Sequence, residues 1–214
     1  MHLVIFDLDG TLVDSTLDLA NSVNAARVHM GLDPLPVETV AGYVGNGAPV
    51  LIRRAMGPDA SEAEVEQALS YFLAYYRAHM LDHTRPYNGV VEALDALHKG
   101  RVRMAVLTNK PVRFSRDLIA GLKMDRFFFQ IYGGNSFEQK KPHPMGIETL
   151  IAEAGADPAR TWMVGDSAID VQTARNAGVK SCGVTYGISP ESLRENPPDI
   201  LLDSLLELPP HILG

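Results

Sequence analysis

The chain is poor in the features that would tie it to a secretory, membrane or nucleic-acid setting. It has one cysteine, Cys182, in 214 residues. No intrachain disulfide can form, and the lone thiol reads as a small core residue in a reducing compartment. No apolar run approaches the ~18 residues that a membrane span requires. The first residues run straight into an apolar strand, without the basic start, apolar stretch and cleavage site of a leader. Lys and Arg number 19 against 26 Asp and Glu, for a formal charge of -7. No basic block offsets that balance, which argues against a nucleic-acid partner. Internal repeats and low-complexity stretches are absent. The expectation is a cytoplasmic protein with no membrane association; monomer and homodimer both stay open.

What is present is ordinary for a globular chain. Hydrophobic residues make up 46% and charged residues 21%, which suits one large domain or a core with a smaller companion. The stretch that organises the rest is Leu3-Val4-Ile5-Phe6-Asp7-Leu8-Asp9-Gly10-Thr11. An apolar run ends in two carboxylates two residues apart. In an extended chain residues i and i+2 project to the same side, so Asp7 and Asp9 face one spot past the strand's C-terminal end. Ligands of open α/β sheets bind there. Two carboxylates held together repel and call for a cation, a shared proton or a divalent metal. Gly10 permits a sharp turn directly after the pair.

From 15 to 84 the pattern is helical. Predicted helices at 16–30, 37–44, 48–56 and 61–80 are separated by Gly31, by Pro34 and Pro36, by Gly45-Asn46-Gly47 and by Gly57-Pro58. Ser15 or Asp14 is placed to cap the first. From 85 onward helices alternate with strands: helix 90–98, strand 102–107, helix 112–122, strand 129–132, helix 144–154, strand 162–164, helix 169–177, and strands 181–185 and 200–202. That order predicts an α/β fold, a doubly wound parallel sheet (Rossmann-like), built from 1–14 and 85–214. An all-helical cap of 15–84 is inserted after the first strand. It departs beside the aspartate pair and is well placed to act as a lid.

Three further strand or loop ends carry polar groups. Thr108-Asn109 closes strand 102–107, where a hydroxyl and a helix-start N–H suit a phosphate oxygen, or where Thr108 simply caps the next helix. Lys141 precedes Pro142-His143-Pro144 on stiffened backbone. Its ammonium either neutralises an oxyanion or a carboxylate, or is solvated with Lys140. Strand 162–164 ends in Gly165-Asp166-Ser167, with Asp170 a helical turn on. Asp166 is placed to ligate a metal and Asp170 to hold a metal-bound water or Lys141. The plainer reading makes Asp166 or Ser167 a cap and Asp170 a first-turn acid offsetting the helix dipole. Each plain reading stands singly. None explains four polar sets on successive loops of one parallel sheet.

Asp7-Leu8-Asp9-Gly10-Thr11, Thr108, Lys141 and Gly165-Asp166-Ser167-x-x-Asp170 resemble, in order and spacing, the four motifs of the haloacid dehalogenase-like hydrolases. The resemblance covers essentially the whole chain. Val44-Gly45-Asn46-Gly47 and Lys141-Pro142-His143-Pro144 are most similar to the bacterial phosphoglycolate phosphatase branch. The resemblance implies that Asp7 attacks phosphorus to form an aspartyl-phosphate and that Asp9 protonates the leaving oxygen, then activates water. It implies Mg²⁺ bound by Asp7, the Asp9 carbonyl and Asp166. Thr108 and the Asn109 N–H would hold phosphate oxygens, and Lys141 would offset charge at Asp7 and the phosphoryl group.

Within that family, Asp9 favours phosphoryl chemistry over dehalogenation. No lysine precedes Lys99, so a Schiff base in the cap has no residue to form on. The function expected is Mg²⁺-dependent hydrolysis of a small phosphorylated metabolite, 2-phosphoglycolate to glycolate. The alternatives are another sugar phosphate, nucleotide or pyrophosphate substrate, a β-phosphoglucomutase-type transfer, and, in another class, a non-catalytic phospho-Asp signalling domain. A substrate carboxylate would meet backbone N–H groups at Gly45-Asn46-Gly47 and the guanidinium of Arg53 or Arg54, which point in different directions on a helix. The Tyr71–Tyr76 aromatic group reads as cap packing or a subunit contact, and Trp162 and His143 as structural.

Overall fold

Four consecutive apolar residues, all fully buried, make Leu3–Phe6 (β1) a central strand. The computed structural model describes residues 1–214. Past β1 the chain turns through Gly10, forms the short strand Val13–Asp14 (β2) and enters four helices. These are Thr16–His29 (α1), Val37–Ala41 (α2), Ala48–Met56 (α3) and Glu62–His79 (α4). Arg85–Pro86 (β3) returns antiparallel to β2, with Val13 opposite Pro86 and Asp14 opposite Arg85. Then follow Val90–Lys99 (α5), Arg103–Leu107 (β4), Val112–Gly121 (α6), Gln130–Tyr132 (β5) and Met145–Ala154 (α7). Thr161–Gly165 (β6), Ala168–Ala177 (α8), Lys180–Val184 (β7), Ile200–Leu202 (β8) and Leu208–Leu213 (α9) complete the chain.

Six strands form a parallel sheet in the order β5-β4-β1-β6-β7-β8. From β1 the chain builds outward through β4 and β5, then crosses to β6 on the other side. β1 therefore sits where the winding reverses, and the crevice at such a point is where sheets of this kind bind ligands. Phe6 pairs with both Val106 and Val164. That register sets Asp7, Thr108 and Asp166 on one edge of the sheet.

Alternation along β1 divides the core. Leu3 and Ile5 pack with Ile147 and Leu150 on one face. Val4 and Phe6 join Val90, Leu94 and Leu118 on the other. This second cluster runs on through Leu12 and Val13 to Val23, Ile52, Phe72 and Tyr76, so the helical segment shares an apolar core with the sheet. Buried Asp18, in the first turn of α1, accepts from the His83 N–H (3.0 Å to each oxygen), the Thr84 N–H (2.8 Å) and Thr84 Oγ1 (2.7 Å). It fastens the segment's return to its departure. No helix is long and apolar enough to cross a membrane.

The structure departs from the sequence reading in four places. β2 and β3 span two residues each, too short to show a period. α2 stops at Ala41, ahead of Gly42, rather than running to 44. Of the two residues expected to cap α1, Ser15 does not, since its hydroxyl donates to Asp9 Oδ1 at 2.6 Å, and Asp14 does, its Oδ1 accepting from the Thr16 N–H at 3.1 Å. α9 is masked by Pro209-Pro210, which lie in its first turn, where proline's missing N–H costs no intrahelical bond.

Candidate active site

Asp7, Asp166 and Asp170 offer carboxylate oxygens that all lie within 4.8 Å of one another. Asp7 directly follows β1, Asp166 directly follows β6, and Asp170 reaches back from the first turn of α8. Asp166 Oδ2 accepts from the N–H groups of Ile188 (2.8 Å) and Ser189 (3.0 Å), and Oδ1 from Thr11 Oγ1 (3.2 Å). The Cβ of any other residue at Gly10, whose φ is +82°, would run into the Asp166 carboxylate. Asp170 Oδ2 accepts from the Ser167 N–H (3.2 Å) and hydroxyl (2.7 Å), closing the α8 N-terminus.

A lysine serves each aspartate of the opening pair. Lys141 Nζ donates to Asp170 Oδ1 at 2.6 Å and stands 3.0 Å from Asp7 Oδ1. The latter contact is an ion pair without hydrogen-bond alignment, so Asp7 Oδ1 is buried with no hydrogen-bond partner. Lys110 Nζ donates to Asp9 Oδ1 (3.1 Å) and Oδ2 (3.0 Å). Burial opposes the charge on both ammonium groups, yet Asp170 and Asp7 in one case, and Asp9 in the other, hold them above the ordinary lysine value.

The three clustered acids outnumber their lysine. Burial pushes the Asp7 carboxyl up to about 6; Lys141 pulls against this and the Asp170 charge adds to it. Burial, then the charges of Asp170 and Asp7, push Asp166 up to about 7 against the two backbone N–H bonds. Such a group is short of positive charge and offers only oxygen donors. Together with the buried Asp7 Oδ1, which has the Lys141 ion pair but no hydrogen bond, that suits a hard divalent cation of the Mg²⁺ kind.

Asp7, Asp9, Thr108, Asn109 and Asp166 line one cavity of about 250 Å³ between the sheet edge and the helical segment. Lys141 and Asp170 lie behind that wall and reach it through Asp7. Gly45 and Asn46 line the cavity, but their carbonyl oxygens face the sheet side: Asn109 Nδ2 donates to Gly45 O at 3.0 Å, and Lys140 Nζ to Asn46 O at 2.7 Å. The Asn109 amide also donates to Lys141 O at 3.1 Å, so its side chain ties two loops together.

Arg53 is turned away from this cavity. It donates to Ala60 O at 2.7 Å, pairs with Glu62 and lines a separate surface groove. One helical step on, Arg54 does line the cavity. The aromatic group also divides. Phe72 and Tyr76 are buried on the cavity wall, whereas Tyr71 and Tyr75 stack with His29 and His79 at the outside. Lys110, Ser15, Tyr76 and the loop at Ile188-Ser189 were not foreseen as site residues. The signal for the loop was its place: it follows β7, the next strand of the same sheet edge.

The fold and site define a class. The model of the family described as haloacid dehalogenase-like hydrolase matches residues 4–184, and the chain belongs to that family. Among its relatives, the phosphoglycolate phosphatase of Pseudomonas fluorescens (strain Pf0-1) is 43% identical, covering 99% of this chain and 80% of that protein. The phosphoglycolate phosphatase of Agrobacterium fabrum (strain C58) is 40% identical over 97% of this chain and 91% of its own. A crystal structure described as a predicted phosphoglycolate phosphatase from Haemophilus somnus aligns with a TM-score of 0.92 at 33% identity, covering 97% of this chain and 96% of that one.

Proposed function

We propose that the protein is a phosphatase of small phosphate monoesters, converting 2-phosphoglycolate to glycolate and phosphate by way of an aspartyl-phosphate. The observation that carries the chemistry is that Asp7 and Asp9 share one cavity wall but not one partner. Asp7 lines the cavity with the Lys141 ammonium 3.0 Å from its Oδ1, which holds the carboxylate where it can be directed at phosphorus. As the new bond from Asp7 to phosphorus forms, the bond from phosphorus to the leaving oxygen breaks. Asp9 supplies the proton and the alcohol departs neutral. Asp9 then takes a proton from the water that releases phosphate and restores Asp7.

Asp7 and Asp166 would hold Mg²⁺, with the Asp9 carbonyl as the family resemblance implies. Bound there, the ion would offset the repulsion between an anionic nucleophile and an anionic substrate. Asp170 holds Lys141 against Asp7, and Thr108 and Asn109 receive the phosphoryl oxygens. The helical segment 15–84 acts as the lid over the sheet, and the cavity beneath it selects the alcohol. A buried free thiol at Cys182 suits a reducing, cytoplasmic setting.

The identity of the substrate rests on the relatives. The apolar part of the wall, with Leu51, Phe72 and Phe114, is the observation that favours a different monoester, such as a sugar phosphate. A screen over 2-phosphoglycolate, sugar phosphates, nucleotides and pyrophosphate, compared by kcat/KM, decides between them. We expect 2-phosphoglycolate among the best substrates. A poor rank overturns the substrate, and turnover of none overturns the phosphatase reading.

A further inference from the structure

Lys110 takes no part in the chemistry above, yet it is buried on the cavity wall with its charge committed to Asp9. Its Nζ lies 4.6 Å from the centre of the Tyr76 ring. Tyr76 belongs to α4, in the helical segment, while Lys110 follows β4 of the sheet. The ring is held in place by Phe72, stacked at 5.6 Å, and by Phe114, edge-on at 5.4 Å. Its hydroxyl is buried without a hydrogen-bond partner. The buried Ser15 hydroxyl also donates to Asp9 Oδ1, at 2.6 Å.

We propose that Lys110, seated on Tyr76, is a positioning residue that aims the Asp9 carboxyl at the leaving oxygen of the substrate. The inference rests on the reading of Asp9 as the acid for that oxygen. A carboxylate beside a glycine turn has several rotamers open to it; Lys110 on both oxygens and Ser15 on Oδ1 hold Asp9 in one. The ammonium group donates to both Asp9 oxygens and lies against the aromatic ring of Tyr76. Stability alone is a weak reason to keep such a pair, because a buried ion pair is often no better than an apolar replacement. The pair also spans the two parts of the molecule. The ring comes from the lid and the carboxylate from the sheet, so seating the lid and orienting Asp9 become one event.

A comparison of two leaving groups tests this. The alcohol of 2-phosphoglycolate needs a proton as it leaves; the acetate of acetyl phosphate, a molecule of similar size, does not. Lys110→Met, Lys110→Arg and Tyr76→Leu are assayed on both. We expect Lys110→Met to lose about 100-fold in kcat on 2-phosphoglycolate while staying within about fivefold of wild type on acetyl phosphate. Lys110→Arg should recover part of the loss, and Tyr76→Leu should shift the ratio the same way by a smaller factor. Equal losses on both substrates, or none on either, overturn the inference. If Lys110→Met fails to fold, the other two variants carry the same ratio. A wild type that prefers another alkyl phosphate overturns the proposed substrate alone, and the ratio is then read with that ester.

Discussion

Asp7 and Asp9 are the same residue type two positions apart, and the fold makes them unlike by giving each its own lysine. Asp7→Asn removes the nucleophile without changing its volume. It should cost at least about 10³-fold in kcat with the fold retained. Full activity, measured beside an unchanged circular dichroism spectrum, would remove Asp7 from its role. Asp9→Asn should cost about 10²- to 10⁴-fold on alkyl phosphates. The sequence showed Asp7, Asp9, Thr108 and Asp166 because each closes or follows a predicted strand, and the strand ends of one parallel sheet converge. Lys110 was hidden beside Asn109, because the direction of a side chain at a strand-to-helix turn depends on what packs above it. That neighbour, Tyr76, comes from a different part of the chain. Arg53 and Arg54 posed the same difficulty: adjacent on α3, they diverge, and only the packed structure says which one meets the cavity.

Elements with a strong period were legible nearly to the residue. α3 fell at the predicted 48–56, and α4 within a residue of its expected ends, its start fixed by the Ser61–Glu64 capping box. The β2–β3 ribbon was not, since two-residue strands have no period. The joint it forms is reinforced by Asp18. Burial alone would raise that carboxyl; the hydrogen bonds from His83 and Thr84 outweigh it and hold Asp18 below its ordinary value of 3.8. A depressed folded-state value means stabilisation that is complete above the ordinary value and lost as pH falls through the folded one. Asp18→Asn should therefore cost about 1–3 kcal/mol at pH 7, with the gap to wild type narrowing as pH falls below about 4. Urea unfolding at pH 7 and at pH 3.5 measures both. A gap of equal size at the two values would show that the charge contributes nothing.

At the scale of the whole molecule, the buried acid group is a strain that a bound cation would relieve. Three carboxylates with one lysine disfavour the folded state, and a ligand that binds only this state stabilises it by mass action. At a hundredfold excess over Kd, Mg²⁺ should add about 2.7 kcal/mol, a rise in Tm of roughly 5–10 °C. EDTA should reverse the rise and silence turnover. Asp166→Asn should abolish most of the shift; a full shift in that variant would place the ion elsewhere. The succession of a helical stretch and an alternating one was readable because strands and helices alternate only after 85, whereas the cavity was not. Its walls are drawn from α3, α4, α6 and the strand ends, and no local pattern reports that they meet.

β1 also sets the order in which the molecule can be assembled. Leu3 pairs with Arg103 on one side and Thr161 on the other, so the most apolar strand is made early and completed late. At ~5–20 residues per second of synthesis, its second edge stays open for on the order of ten seconds. The helices between β2 and β3 need no such wait, because α1 and α4 pack on each other within one local segment. The helical segment is thus built before the sheet beneath it. Ribosome-bound chains halted before β6 should be protected from protease in α1 and α4 while still cut beside β1. Protection of β1 at that stage would mean that one neighbour is enough to hold it.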